Sequence, residues 1–192
     1  KDVIVVGGGD TGNDCIGVAL RQGCQSVHQL VKYPRQPDRR PADNRWPEWP
    51  KVDRLDYSHE EAIAHFGEDP RIFATTVKEI LMDEEGNLRA VKTIRLEGKK
   101  RDPNTGKLIM TEVEGSEEEL PCQLLLVAIG FQGPESYVSQ AFGVETDSRT
   151  NLKTEQYATN VPGIFAAGDA RRGQSLVVWA IHEGRSAARE VD

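Results

Sequence analysis

The residues with the clearest chemistry lie in one short run, Gly7-Gly8-Gly9-Asp10-Thr11-Gly12, with glycines at G-x-G-x-x-G spacing at Gly7, Gly9 and Gly12. A glycine in the first position permits a tight turn. In the second it lets backbone approach a pyrophosphate, and in the third it lets a helix pack closely on a sheet. A helix starting there would turn free N–H groups and the positive end of its dipole toward phosphate. Such spacing alone is weak, so its context decides. Residues 3–6 are a short β-branched apolar run and read as a buried strand. Residues 10–21 read as a helix with Ile16, Ala19 and Leu20 on one face and Gly23 as its stop, and residues 26–31 as a second strand. Strand, glycine turn, helix and strand form one βαβ unit, the setting in which this motif binds a dinucleotide. Thr11 belongs to the binding loop. Asp10 is counted with it as a cap or backbone organiser, because a carboxylate repels a diphosphate.

The end of the second strand separates the two nicotinamide cofactors: an acidic residue grips the ribose hydroxyl of NAD, and a basic one suits the 2′-phosphate of NADP. Val31 sits near that slot, Lys32 and Arg35 follow, and the first acid is Asp38. This favours NADPH and leaves NADH possible. Arg39 is a further candidate for the phosphate. It lies in a locally basic segment, residues 32–45, that also holds Arg40 and Arg45 against Asp38 and Asp43. Such a segment also suits a solvated loop.

Two later motifs extend the pattern. In Ala128-Ile129-Gly130-Phe131-Gln132-Gly133-Pro134 a strand ends on a glycine that lets a ligand near the backbone, so Ala128 and Gly130 are binding candidates. Residues 163–167 read as another buried parallel strand, ending in Gly168-Asp169. A carboxylate there can accept a hydrogen bond from a sugar or ribitol hydroxyl. Gly173-Gln174-Ser175 then opens a helix over residues 175–190 whose N–H groups could face an electron-rich carbonyl.

These motifs need a scaffold. Residues 34–50 form a loop with five prolines, Pro34, Pro37, Pro41, Pro47 and Pro50, stiff rather than floppy by composition. Residues 58–66 read as a helix capped by Ser58, with Glu61 at capping-box spacing. Residues 73–81 and 88–96 read as strands around Glu85-Gly86-Asn87, and a hairpin at Pro103-Asn104-Thr105-Gly106 returns through residues 107–113. Residues 124–128 read as a parallel strand. The expected fold is α/β: a Rossmann-like three-layer pyridine-nucleotide domain over residues 1–130 with an inserted antiparallel β-meander, and the C-terminal part of a FAD-binding domain over residues 131–192.

Composition is that of a globular chain: 192 residues, 38% hydrophobic, with 18 glycines. The formal net charge of −7 argues against a nucleic-acid partner. No run is long and apolar enough to cross a membrane, and no signal peptide precedes the first strand, so a cytoplasmic location is expected. The abrupt start predicts a protein that continues upstream. Cys15, Cys24 and Cys122 form no C-x-x-C pair and read as small buried hydrophobes, and no metal-ligand spacing occurs. No residue is placed as a catalytic acid, base or nucleophile, and hydride transfer needs none.

Taken in order, these segments resemble a known family. Ala166-Ala167-Gly168-Asp169 ahead of Gly173-Gln174-Ser175-Leu176-Val177-Val178-Trp179-Ala180 looks like the second flavin-contact region of two-dinucleotide flavoproteins. Asp43-Asn44-Arg45-Trp46-Pro47-Glu48-Trp49-Pro50, Asp56-Tyr57-Ser58-His59-Glu60-Glu61-Ala62 and Val113-Glu114-Gly115-Ser116-Glu117 resemble the small (beta) subunits of glutamate synthases and the matching C-terminal region of single-chain ones. The resemblance implies an electron-input unit: hydride passes from NADPH to FAD and electrons go on, through iron–sulfur clusters, to a large subunit or region that makes glutamate from 2-oxoglutarate and glutamine. By the same matching, Gly7, Gly9, Gly12 and Lys32 would hold NADPH, and Gly168, Asp169, Gln174, Ser175 and Leu176 would touch FAD. A second glycine motif and the cluster cysteines are expected only in an upstream region, so the chain alone is expected to be inactive. Two other readings stay open: the electron-input part of an NADPH:ferredoxin-type oxidoreductase or dihydropyrimidine dehydrogenase, and a nucleotide-binding module without activity of its own.

Overall fold

The computed structural model describes every residue except Thr105 and Asp192. Thr105 of the expected hairpin turn and the last residue of the expected second domain therefore lie outside the described residues. The chain divides into two compact units, Lys1–Ile129 and Gly130–Asp192.

In the first unit the order is β1 (Asp2–Val6), α1 (Asp10–Arg21), β2 (Ser26–Val31), α2 (Tyr57–Phe66) and β3 (Arg71–Phe73), then β4 (Thr75–Met82), β5 (Leu88–Arg101), β6 (Leu108–Glu112), β7 (Glu118–Pro121) and β8 (Leu124–Val127). The strands β3-β2-β1-β8 form a parallel sheet, and β4-β5-β6 with β7 on β5 form an antiparallel one.

Alternation along β1 explains the layering, because successive strand residues face opposite sides of a sheet. Val3 and Val5 pack with Val27, with Ile16 and Ala19 of α1, and with Ala62 of α2. Ile4 and Leu30 face the other way, onto Val91 and Cys122, with Val77 and Leu120 against them. The unit thus has three layers: helices, parallel sheet and meander. An antiparallel sheet covers the face that a second helical layer would otherwise cover. The Tyr57 hydroxyl donates to Asp14, and Arg21 pairs with Glu61 at 2.7 Å, tying α2 to α1.

Several expected boundaries are corrected. The cap of α2 is Asp56, not Ser58, and its reciprocal partner is His59, not Glu61. Asp56 accepts the Tyr57 N–H at 2.8 Å, while its own N–H donates to His59 Nδ1 at 3.1 Å. Ser58 is instead buried beside Gly17 of α1. The single strand expected over residues 73–81 is two, broken at Ala74, whose φ of 50° turns the chain out of the parallel sheet. The acidic β7 carries no apolar alternation, so its sequence does not mark it as a strand.

The second unit holds α3 (Ser136–Phe142), α4 (Asp169–Arg172) and α5 (Val177–Val191). Residues 163–167 are not a parallel strand. Phe165 makes an isolated antiparallel bridge to Ala158, and the Ala166 N–H donates to Tyr157 O at 2.9 Å. The apolar run folds back on its own neighbours because Gly163, at φ 79°, permits a turn there. Among the described residues no helix is long and apolar enough to cross a membrane.

A Cβ on Gly12 would lie 2.3 Å from Gly7 O and 2.6 Å from Gln29 Nε2, whereas one on Gly9 would meet nothing within 4 Å. We predict that Gly12→Ala destabilises the chain by about 1–3 kcal/mol, the usual cost of overpacking. Gly9→Ala, at an N-cap, costs under about 1 kcal/mol. Urea unfolding of the two variants measures the difference.

Candidate dinucleotide-binding site

The glycine loop leaves β1 at Gly7, whose φ of 126° excludes a side chain in practice and whose absent Cβ would lie 2.1 Å from Ala128 O. This close approach is the role the structure assigns to Ala128: its carbonyl, at the end of β8, abuts the turn. The Gly7 N–H donates to Leu30 O at 3.0 Å. Gly9 is the N-cap of α1 and makes no side-chain cap bond. Asp10 is therefore the first helical residue, not a cap, and it and Thr11 are exposed. Glycine has no side-chain oxygen, so the first N–H groups of α1 stay available to an anion.

A buried polar chain supports the loop from behind. Gln29 Nε2 donates to Gly7 O at 2.7 Å, and Gln29 Oε1 lies 2.9 Å from His59 Nε2. His59 Nδ1 accepts from the Asp56 N–H, so a neutral ring carries its proton on Nε2 and donates it to Gln29. Burial, helped by the nearby Arg71 cation, pushes the His59 pKa down and favours that neutral ring.

In front of the loop is a cleft of 570 Å³. Gly8, Gly9, Asp10 and Asn13 form one wall, Val31 and Tyr33 the next, and Trp49, Asp53, Arg54, His59, Arg71 and Phe73 are among the residues that complete it. Asn13 is 3% exposed, and its Oδ1 has no partner among the described residues. Asp53 (8% exposed side chain) and Arg71 (6%) pair at 3.0 Å, and Arg35 Nε reaches Asp53 at 2.8 Å. Burial opposes ionisation of Asp53, but hydrogen bonds from Arg35 and Arg71 outweigh it and hold its carboxyl below the usual range.

The basic residues expected to choose the cofactor fare unequally. Arg35 is already bound to Asp53 and, at 3.0 Å, to Asp38. Lys32 and Arg39 are exposed and do not line the cleft, although Lys32 stands between Val31 and Tyr33, which do. The proline-rich loop is held by buried Asn44: its Nδ2 donates to Trp49 O and Glu48 Oε2, both at 3.1 Å, and its Oδ1 accepts from the Lys51 N–H at 2.8 Å. Arg54 lies over the Trp49 ring, 5.2 Å from its centroid. Sequence reasoning missed Gln29, His59, Asn13, Trp49, Asp53 and Arg71. A glutamine inside the apolar strand of residues 26–31 was a visible signal, while nothing local joins Asp53 to Arg71.

In the second unit Gly130 has a φ of 114° and open space around it. Gly168 is buried, and its N–H donates to Glu183 Oε2 at 2.9 Å. Glu183, 1% exposed, also binds Arg171 at 2.9 Å and Arg172 at 2.7 Å. Burial opposes its ionisation, but the Arg172 and Gly168 hydrogen bonds prevail and keep it charged. Asp169 is exposed and accepts the Ser175 N–H at 3.3 Å, so its other oxygen has no partner among the described residues. Gln174, with Phe131 and Asn151, lines a separate cavity of 530 Å³. Ser175 and Leu176 are exposed ahead of α5.

Comparison with known proteins agrees with this geometry. Residues 1–184 match the family described as pyridine nucleotide-disulphide oxidoreductase. The whole chain is 49% identical to part of "Glutamate synthase [NADH]" of Schizosaccharomyces pombe, covering 9% of that protein. It is also 49% identical to "Glutamate synthase [NADPH] small chain" of Bacillus subtilis, covering 39% of it. The chain thus spans well under half the length of these relatives. Among solved structures, FprA of Mycobacterium tuberculosis in complex with NADPH is similar over 99% of this chain and 51% of its own, with TM-score 0.68 and 14% identity. T. acidophilum thioredoxin reductase is similar over 100% of this chain and 51% of its own, with TM-score 0.60 and 21% identity. At those identities the likeness is one of fold.

Replacing Glu183 with Ala would leave the Gly168 N–H and two guanidiniums without their acceptor. We predict a loss of about 3 kcal/mol, the low end for breaking a buried ion pair, since both arginines are partly exposed. Thermal unfolding at neutral pH measures it.

Proposed function

The chain belongs to the pyridine nucleotide-disulphide oxidoreductase family, and from that premise we propose that it is the NADPH-binding, electron-input part of a glutamate synthase. The observation that carries the proposal is the glycine loop over the cleft. Gly9 faces open space, α1 begins without a side-chain cap, and the buried Asn13 Oδ1 lacks a partner among the described residues. These features fit a pyrophosphate and its riboses. When bound, NADPH would supply a hydride to FAD, and the reduced flavin would feed electrons onward to the large subunit or region where glutamate forms.

The residues here orient and bind. Gly7, Gly9, Gly12 and the α1 N-terminus, with Asp10 and Thr11 flanking, hold the diphosphate. Relatives named for NADH and for NADPH match at the same 49% identity, so the pocket must decide between the cofactors. Asp53, the carboxylate within the cleft, is engaged by two guanidiniums and is poorly placed to grip a ribose hydroxyl. Lys32 has no ion-pair partner among the described residues and follows Val31, which favours NADPH, with Arg39 as a second cation. In the second unit Gly168, Asp169, Gln174, Ser175 and Leu176 would contact FAD, with Asp169 accepting from a ribitol hydroxyl. Gly130 offers the backbone approach expected just past the end of β8 and Ala128. Residues 1–130 as the nucleotide domain and 131–192 as flavin-domain segment, the large-subunit partner and a cytoplasmic location belong to the same proposal.

Calorimetric titration tests it. Gly9→Asp places a side chain and a negative charge where phosphate must sit, so it should abolish NADPH binding while circular dichroism stays that of the wild type. Unchanged affinity in the folded variant would sink the assignment. Lys32→Ala should weaken NADPH by ten- to a hundredfold and NADH little, since a hydrogen bond to a charged group contributes about 1.5–3 kcal/mol. Equal weakening of both cofactors would remove Lys32 as the selector.

A further inference from the structure

Gln29, Ser58 and His59 are polar side chains buried in the first unit, and His59 also lines the cleft. Gln29 and Ser58 are fully buried and His59 nearly so. Of these, Gln29 and His59 form a directed chain that ends on the loop. We propose that His59 is a positioning residue that sets the orientation of the Gly7–Gly8 peptide, and so aims the Gly8 N–H at the phosphate of a bound dinucleotide. The inference rests on the dinucleotide reading above.

The polarity of the chain follows from its two ends. The Asp56 N–H can only donate, so His59 Nδ1 must accept and the ring proton sits on Nε2. That proton can be given only to an acceptor, so Gln29 must present Oε1 to His59 and Nε2 to Gly7 O. A flipped amide would set two carbonyl oxygens against each other at 2.7 Å and two donors against each other at 2.9 Å. The cap of α2 therefore dictates the rotamer of a residue in β2. The last link is covalent. The Gly7 carbonyl and the Gly8 N–H belong to one planar trans peptide and point in opposite directions. Holding the carbonyl inward on Gln29 turns the Gly8 N–H outward, on the side where Gly8 lines the cleft. Gly12 packs so closely against the same carbonyl that the peptide has little room to turn. The charged groups around the ring, Asp53, Asp56, Asp69 and Arg71, act on its protonation but not on this geometry.

Two substitutions separate the roles of the two ring nitrogens. His59→Asn keeps an oxygen where Nδ1 accepts from Asp56 but removes the donor to Gln29. His59→Gln keeps a donor where Nε2 stands but gives up the acceptor for the cap. NADPH titration of the full chain should show His59→Gln within about threefold of wild type and His59→Asn weaker by about tenfold or more. A structural role alone would make affinity follow thermal stability instead. Equal binding by His59→Asn and wild type, or an equal loss in both variants, overturns the inference. Nitrogen-15 NMR of the wild-type ring is a check independent of either variant's folding: the Nε2–H tautomer is expected, and an Nδ1–H tautomer overturns it. If the wild type binds neither NADPH nor NADH, the dinucleotide reading falls and takes the inference with it. If the wild type binds and His59→Asn binds as well, the inference alone falls.

Discussion

The hydrogen bond from Gln29 Nε2 to the Gly7 carbonyl, 2.7 Å long, lies where the parallel sheet and the helix layer of the first unit meet. Gly7 ends β1, Gln29 belongs to β2, and Gly12 of α1 presses on both. His59 of α2 holds the far end of the amide. A side chain on Gly12 or an apolar residue at Gln29 would disturb all four elements together. Leaving the Gly7 carbonyl buried without its donor would cost about 1–3 kcal/mol, a large fraction of an ordinary domain's stability. The glycines are thus structural before they are functional: the loop can face a ligand because its back is fastened to the sheet and both helices.

The meander has a different part. It covers the sheet face opposite the helices, where Ile4 and Leu30 meet Val91 and Cys122. The proposed nucleotide cleft lies elsewhere, at the ends of β1 and β2, and takes its outer wall from the loop and from Arg71 and Phe73 at β3. The Asp53–Arg71 pair joins the loop to β3. In its buried setting the pair is better read as fixing where the loop lies than as adding net stability, because desolvation offsets much of the attraction.

The second unit solves a similar problem with charge. Gly168 adopts a φ of 68°, and its buried N–H needs an acceptor that no strand supplies. Glu183 reaches it from α5 and is itself neutralised by Arg171 and Arg172, which stack on Tyr157 and Trp179. The Gly-Asp turn that leaves Asp169 exposed is therefore held by a carboxylate borne on α5, fifteen residues beyond Gly168, a link that local pattern does not reveal.

The sequence alone determined the βαβ opening, since α1 and β2 have the bounds that apolar spacing and the stop at Gly23 indicate, and a parallel strand expected over residues 124–128 that the structure ends at Val127. It also marked the glycine loop, because a tight turn, a close approach and a helix start are demands on adjacent residues. It could not place the cap of α2, where the polar residues Asp56, Ser58 and His59 compete within four positions and only packing decides which is buried. It took residues 163–167 for a parallel strand because an apolar run does not say which partner it will find. The relay from Asp56 through His59 and Gln29 to Gly7, and the joining of Asp53 to Arg71 and Arg35, were decided by the tertiary structure. Hydrogen bonds and ion pairs depend on distance in space and on exclusion of water, and neither is set until the layers have closed.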